Sequence, residues 1–316
     1  MLRSCAALLN TKLIKVIQMK PVLGFIGLGI MGKPMVRNLL KAGYSVHIYS
    51  IVAQDVEEIA RDGAIGQASA RAVAEAADIT ITMVPNTPQV EDVLFGENGL
   101  APALREGKVV IDMSTISSLA TKQFADTIKS LGARMLDAPV SGGDKGAKGG
   151  TLSIMVGGET EVFERCKPVL EVLGCRVTHV GDNGAGQVVK SCNQVLAAAT
   201  MAALGESLVM GAKAGVDPAK IVEVLSAGYA RCGALDIRGS LLLERNFEPG
   251  FMTRLQYKDL NLAMELSQGI DSPMPIASLV RELYKTCIAQ GVGNEDHSNI
   301  IKVFEQLSGI QVKARS

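Results

Sequence analysis

From Pro21 to about Asp182 the chain alternates two kinds of segment. Short, almost continuous apolar runs come first: VLGFIGLG, YSVHIYS, DITITMVP, KVVIDMST, RMLDAPV, LSIMVGG and RVTHVGD. Between them lie stretches such as KPMVRNLLKAG and TKQFADTIKSLG, in which apolar residues recur every three or four positions. Runs of the first kind predict strands buried on both faces, and the period of the second predicts helices. Their alternation predicts βαβ units and a mostly parallel, doubly wound sheet. After Asp182 the strand signals stop. An Ala/Leu/Met-rich helix is predicted over 184–214. DPAKIVEVLSAG then follows an Asp-Pro start signal, and LQYKDLNLAMELSQG ends at a glycine. The pattern therefore divides the chain into an α/β domain over 21–182 and an all-helical domain over 183–316, with residues 1–20 as an N-terminal extension. The predicted 184–214 helix starts where the α/β half ends, a place where ligand clefts form.

That helix carries an anomaly. Between Asp182 and Glu206 its only charged side chain is Lys190. A lysine can bury its stem and keep its ammonium in water. Here, however, Gln187, Lys190, Asn193 and Gln194 fall at i−3, i, i+3 and i+4, on one face. A polar stripe on an otherwise apolar helix suits a proton donor in a cleft better than a snorkelling side chain.

The first strand runs into GLGIMG, a GxGxxG turn of Gly27, Leu28, Gly29, Ile30, Met31 and Gly32. It follows an apolar strand, opens a helix and precedes a second strand, the context of a Rossmann dinucleotide site. Gly27 permits the tight turn, Gly29 lets the backbone approach a pyrophosphate, and Gly32 lets helix and strand pack closely. The end of the second strand should offer an acid for NAD or an arginine for NADP. It offers Ser50, and the first acid beyond it is Asp55, so the cofactor is NAD or NADP without a choice between them. Ser141, Gly142 and Gly143 follow another strand, and their backbone N–H groups with the serine hydroxyl can form a nest for a carboxylate.

Composition narrows the alternatives. Thirty-three glycines without tryptophan, and 47% hydrophobic residues, fit many tight βα turns. Thirty-two basic residues balance 32 acidic ones, so no net field draws the chain to nucleic acid or an anionic membrane. Six scattered cysteines without a CxxC pair, and three histidines (His47, His179, His297) without triad or ligand spacing, predict free thiols in a reducing compartment and no metal site. The polar residues of the 184–214 helix argue against a membrane span. Residues 1–20 hold Arg3, Lys12, Lys15 and Lys20 but no acid, with a second possible start at Met19. They are a dispensable extension of a cytoplasmic protein or an organelle address.

GFIGLGIMGKPM, MVPNTPQVEDVLFGENG, DMSTIS, DAPVSGG, GTLSIMVGG, GAGQVVKSCNQ and FEPGFMTRLQYKDLNLA occur in this order. Together they resemble the β-hydroxyacid dehydrogenase family from Val22 to about Gly309. The resemblance implies a Rossmann domain followed by an all-helical domain, an active site between them, and reversible hydride transfer between NAD or NADP and a small carboxylate-bearing substrate. It places Val84 and Pro85 beside the adenosine half of the cofactor, and Thr115 on the nicotinamide side. Lys258 would contact cofactor and substrate, although YKD on a helix also suits a surface ion pair. Ser141, Gly142 and Gly143 would hold the substrate. Lys190 would be the catalytic acid with Asn193 nearby, and Gln194 stands where some relatives carry a second asparagine. Within the family the resemblance leans to the branch that reduces tartronate semialdehyde, with the 3-hydroxyisobutyrate branch next. The chain is too short for the large helical domain of 6-phosphogluconate dehydrogenases. A catalytically silent dinucleotide sensor would be expected to lack the lysine. A homodimer or homotetramer is implied, assembled through the wide apolar faces of helices around 194–214 and 255–268.

Overall fold

The computed structural model describes residues 20–314. The extension predicted over residues 1–20 lies outside them except for Lys20. Nine strands form one sheet: β1 (Leu23–Ile26), β2 (Val46–Tyr49), β3 (Ile65–Gly66), β4 (Ile79–Thr82), β5 (Val109–Asp112), β6 (Arg134–Asp137), β7 (Val140–Ser141), β8 (Ser153–Gly157) and β9 (Arg176–Gly181). Their order is β3-β2-β1-β4-β5-β6-β8-β7, with β9 also paired to β8. The first six are parallel, β8 runs antiparallel to β6 and β7, and β9 is parallel to β8. The chain leaves β1 towards β2 and β3, then returns on the other side through β4. The strand order thus reverses beside the carboxyl end of β1, where doubly wound sheets bind their ligands.

The helices of this half are α1 (Gly32–Lys41), α2 (Ala53–Arg61), α3 (Ala70–Ala76), α4 (Thr87–Phe95), α5 (Ser118–Ser130), α6 (Gly143–Gly149) and α7 (Thr160–Leu173). Alternate strand residues serve opposite faces of the sheet. Leu23, Phe25, Val109, Ile111 and Leu136 join one apolar cluster, whereas Ile26, Val110 and Met135 join another. This double burial explains why the strands read as continuous apolar runs. The RMLDAPV run is not one strand. β6 ends before Ala138-Pro139, and Pro139 has no N–H to continue the ladder. The chain then continues in the same direction as β7, still antiparallel to β8 and in the same register, with Asp137 opposite Gly157 and Val140 opposite Ile154.

The helical half comprises α8 (Ala185–Lys213), α9 (Pro218–Ala227), α10 (Gly233–Leu243), α11 (Thr253–Gly269), α12 (Pro275–Ala289) and α13 (Ile301–Ser308). The Asp-Pro start signal is real: Asp217 accepts a hydrogen bond from Ala219 N (3.0 Å) and Pro218 opens α9. A third apolar cluster, built around Leu208, Leu260, Tyr284 and Ile300, lies entirely in this half. α8 has the length and apolarity to cross a membrane, with mean hydropathy 1.6. Its buried side is instead shared between both halves: its first turns lie against β8, β9 and α5, and the rest packs on α11, α12 and α13. Gly186 makes the first contact possible, since a Cβ there would stand 2.5 Å from Met155 O.

Candidate active site

The glycine turn has the geometry its sequence predicts. Gly27 has φ +100°, and a Cβ on it would lie 2.2 Å from Met83 O. A Cβ on Gly32 would lie 1.9 Å from Gly27 O. Gly29 differs, because a Cβ there would meet nothing within 4 Å. Its backbone faces open space at the start of α1, whose first N–H groups have no partner within the helix. Leu28 is buried in the core below the turn, and Ile30 is exposed above it. Such a turn fits a pyrophosphate.

The end of β2, expected to face the cofactor ribose, carries no charge. Ser50 is half-buried and its hydroxyl accepts from Val52 N (3.3 Å), while Ile51 is 92% exposed. Asp55 pairs with Lys33 at 2.7 Å, and Glu58 pairs with Lys33 and Arg37. These hydrogen bonds to Asp55 and Glu58 raise the Lys33 pKa. The charges nearest the turn are thus spent on one another.

The residues expected on the far side of the cofactor are knit across the two halves. Val84 N donates to Ser114 Oγ (3.0 Å). Lys258, on α11, donates to the carbonyls of Pro85 (3.1 Å) and Thr115 (2.5 Å) and pairs with Asp259 at 3.0 Å. The ion pair suggested by YKD therefore exists, but it is buried between the halves, with Asp259 3% exposed.

Lys190 is buried on α8. Its ammonium donates to Gln194 Oε1 (3.0 Å), which also accepts from Asn193 Nδ2 (2.7 Å). Gln194 Nε2 in turn donates to Asp259 Oδ2 (2.6 Å). Burial pushes the Lys190 pKa down; the Asp259 charge works against this and the Lys258 charge with it. One part of the sequence-based expectation is corrected here. Gln187 does not join the stripe beside Lys190: its amide is bonded to Ser114 O and Ile116 N instead. Both ends of the Gln194 amide are likewise engaged within the protein. Asp259 is the functional group the sequence reading missed, although it stands in plain view next to Lys258.

Ser141 ends β7, and Gly142 and Gly143 follow with φ +133° and +60°. The turn opens α6 and faces the helical half, where a Cβ on Gly143 would lie 3.6 Å from Gly250 O. The loop holding Gly250 is pinned from below. Asp296 accepts from Gly250 N (3.0 Å) and Phe251 N (3.1 Å) and pairs with Arg238 at 2.7 Å. NFEPGF and DHS, far apart in sequence, thus form one structure beside the Gly142–Gly143 turn. His297, half-buried against Phe251, has its pKa lowered to about 4 by desolvation of its ring, so it stays neutral there. Among the described residues no three His, Cys, Asp or Glu side chains cluster as a metal site requires, and five cysteines are free thiols.

A GxGxxG turn at the switch point of a doubly wound sheet, combined with a buried lysine on an all-helical partner, is the arrangement of a two-domain nicotinamide-dependent oxidoreductase. Comparison with known proteins gives the family. The family model for the NAD-binding domain of 6-phosphogluconate dehydrogenase matches residues 22–181, and that for the NAD-binding region of NADP-dependent 3-hydroxyisobutyrate dehydrogenase matches 184–304. The chain is 46% identical to the 2-hydroxy-3-oxopropionate reductase of Escherichia coli, over 90% of this chain and 98% of that one. It is 40% identical to the 2-(hydroxymethyl)glutarate dehydrogenase of Eubacterium barkeri, over 92% and 97%. The solved structure of Mycobacterium tuberculosis 3-hydroxyisobutyrate dehydrogenase with L-serine superposes with a TM-score of 0.84 at 32% identity, covering 90% of this chain and 99% of that one. The chain belongs to the β-hydroxyacid dehydrogenase family related to 3-hydroxyisobutyrate dehydrogenase. It is an oxidoreductase that acts on a CH–OH group with NAD or NADP as cofactor.

Proposed function

We propose that the chain is a 2-hydroxy-3-oxopropionate (tartronate semialdehyde) reductase that forms D-glycerate reversibly, with Lys190 as general acid. The observation that carries the reading is the buried ammonium of Lys190 on α8, held by an uncharged amide and shifted by burial towards losing its proton. Similarity to the Escherichia coli reductase over nearly its whole length supports the choice of substrate.

A reduced nicotinamide, held by the Gly27–Gly32 turn and the Thr115 loop, would supply the hydride that reduces the carbonyl. Negative charge then gathers on the carbonyl oxygen, and the Lys190 ammonium both stabilises it and donates the proton. One N–H bond breaks, one O–H bond forms, and the amine left behind is the species that burial favours. Gln194 Oε1 aims the ammonium, and Asn193 lines the same side of α8 with its oxygen free for a substrate hydroxyl. Ser141, Gly142 and Gly143 hold the substrate carboxylate, while Lys258 ties the cofactor wall at Pro85 and Thr115 to the helical half. In the oxidative direction Lys190 acts as base.

NADH and NADPH oxidation with tartronate semialdehyde, on wild type and on Lys190→Ala, tests the reading, with cofactor binding followed by calorimetry. Turnover that collapses in the variant while cofactor still binds is the expected result. A wild type that binds cofactor yet leaves the aldehyde untouched would overturn the substrate. 3-Hydroxyisobutyrate would then come next, since a 3-hydroxyisobutyrate dehydrogenase from Pseudomonas aeruginosa is 37% identical to this chain.

Self-association belongs to the same reading. α8 exposes an apolar stripe along its outer side, with Val189, Leu196 and Met210 at 37%, 69% and 70% exposure. α11 has no large hydrophobic residue so exposed. A homodimer or homotetramer would therefore form through α8 rather than through both helices.

A further inference from the structure

Gln187 occupies the third position of α8, one turn before Lys190, and is 1% exposed. Its backbone N–H donates to Asp137 Oδ2 (3.0 Å), and Gly184 N donates to Asp137 Oδ1 (2.8 Å). The head of the helix is thus fixed to the end of β6. From this anchored backbone the side chain reaches the loop after β5 and straddles Thr115. Nε2 donates to Ser114 O (2.8 Å) and Oε1 accepts from Ile116 N (3.1 Å). A primary amide carries a donor and an acceptor in one plane, as a peptide does. Gln187 therefore pairs with this loop as a neighbouring strand would.

On the proposed reading the loop so held is the far wall of the cofactor cleft. Ser114 Oγ accepts from Val84 N, and Lys258 bonds to the Pro85 and Thr115 carbonyls. We infer that Gln187 is a positioning residue that registers this wall against Lys190, so that one side chain sets the placement of the nicotinamide seat relative to the proton donor. It touches neither substrate nor cofactor. The inference rests on reading Lys190 and Thr115 as parts of the active site.

Gln187→Glu and Gln187→Met test it, with Val280→Ala in the helical core as a control for stability alone. In the first variant an ionised carboxylate keeps an acceptor for Ile116 N but has no hydrogen for Ser114 O. At about pH 8 the cofactor Kd, measured by calorimetry with NADH and NADPH, should rise about tenfold, the equivalent of one lost hydrogen bond. kcat should fall by at least as much, while KM for the acid substrate changes little. Burial raises the pKa of a carboxyl, so acidification to about pH 6 should restore the donor and much of the affinity in Gln187→Glu, but not in Gln187→Met. An unchanged Kd and kcat per folded molecule in both variants, with only a lower Tm as in Val280→Ala, would overturn the inference. The binding arm needs no turnover. A wrong substrate therefore shows as inactivity of the wild type with normal Kd differences, and is not confused with failure of this inference.

Discussion

Asp112 offers a quantitative test of how the sheet supports the site. It ends β5 with no exposed surface, and its Oδ1 accepts from Thr82 Oγ1 (2.8 Å) and Ser114 N (3.1 Å). Its Oδ2 has no partner, and in the sheet register it stands beside Asp137, a second buried acid. Burial raises its pKa from 3.8 to about 6; the bonds to Ser114 and Thr82 oppose the shift and the Asp137 charge adds to it. A difference of roughly 2 units corresponds to about 3 kcal/mol. The folded-state value lies above the unfolded one. The associated stability is therefore full below about pH 4 and is lost as pH rises through about 6. By linkage the ionisation penalty is about 1 kcal/mol near pH 4.5 and about 3 kcal/mol near pH 7.5.

Asp112→Asn keeps the acceptor for Thr82 and Ser114 but cannot ionise. It replaces an unpartnered oxygen with an unpartnered NH2, at a cost that does not depend on pH. Carboxylates outside the pair titrate alike in both proteins, so the gap between them reports Asp112 together with its coupling to Asp137. Between about pH 4.5 and about pH 7.5 wild type should lose about 2 kcal/mol relative to the variant, about 3 °C in relative Tm for a chain of this size. Thermal melts of the two proteins across that range measure it. A gap that stays constant, or moves in favour of wild type as pH rises, would refute the buried-charge reasoning.

Further outcomes follow from the site and from the exposed face of α8. On the proposed reading reduction needs protonated Lys190, whose pKa burial lowers from 10.5, so kcat for reduction should fall on the alkaline side with a midpoint below that value. Asp259→Asn removes a charge that raises this pKa and should move the midpoint further down; an unmoved limb would dissociate Lys190 from it. Gly29→Ala should fold with an unchanged Tm, since its Cβ meets nothing, yet lose at least about tenfold in cofactor affinity through steric exclusion of the phosphate. Gly32→Ala should instead lower Tm, because its Cβ strikes Gly27 O; calorimetry and thermal melts separate the two. Leu196→Asp with Met210→Asp should shift light-scattering mass towards the monomer, with little change in monomer fold because both side chains are exposed.

The sheet was legible because its strands are buried on both faces and read as unbroken apolar runs. β3, only two residues long and exposed at both, carries no such signal and was not predicted. The long helix was legible as well, found over Ala185–Lys213 where 184–214 was predicted. Lys190 announced itself as the one charge in an apolar stretch, and the phosphate turn by its context. The roles of the polar neighbours were not legible, for a geometric reason. Three residues along a helix leave Gln187 about 60° round from Lys190 and one turn nearer the N-terminus. Helical side chains lean in that same direction, so the Gln187 amide points to the Thr115 loop and not to the ammonium. Asp259 was hidden by its neighbour, since a Lys-Asp pair on a helix reads as a solvated ion pair until the opposing domain covers it. The apolar residues of α11, expected to form part of an assembly face, are buried or half-buried within the chain.

The arrangement around Lys190 also explains why its nearest partner is an amide. A carboxylate in contact with the ammonium would favour the charged form strongly and could itself accept the proton. Gln194 cannot titrate. It accepts from Lys190 and donates to Asp259, so the Asp259 charge reaches the ammonium only across the length of an amide. The nearer electrostatic claim on Asp259 belongs to Lys258, at 3.0 Å. The result is an ammonium that is oriented but not neutralised, in a setting where burial and Lys258 press towards deprotonation and Asp259 tempers them. A general acid needs that balance, because its proton must be present before hydride transfer and easily given up during it. The two lysines and one carboxylate leave one positive charge over. On the proposed reading the substrate's own carboxylate supplies the missing negative charge, which would raise the Lys190 pKa as substrate binds and secure the proton for the step that uses it.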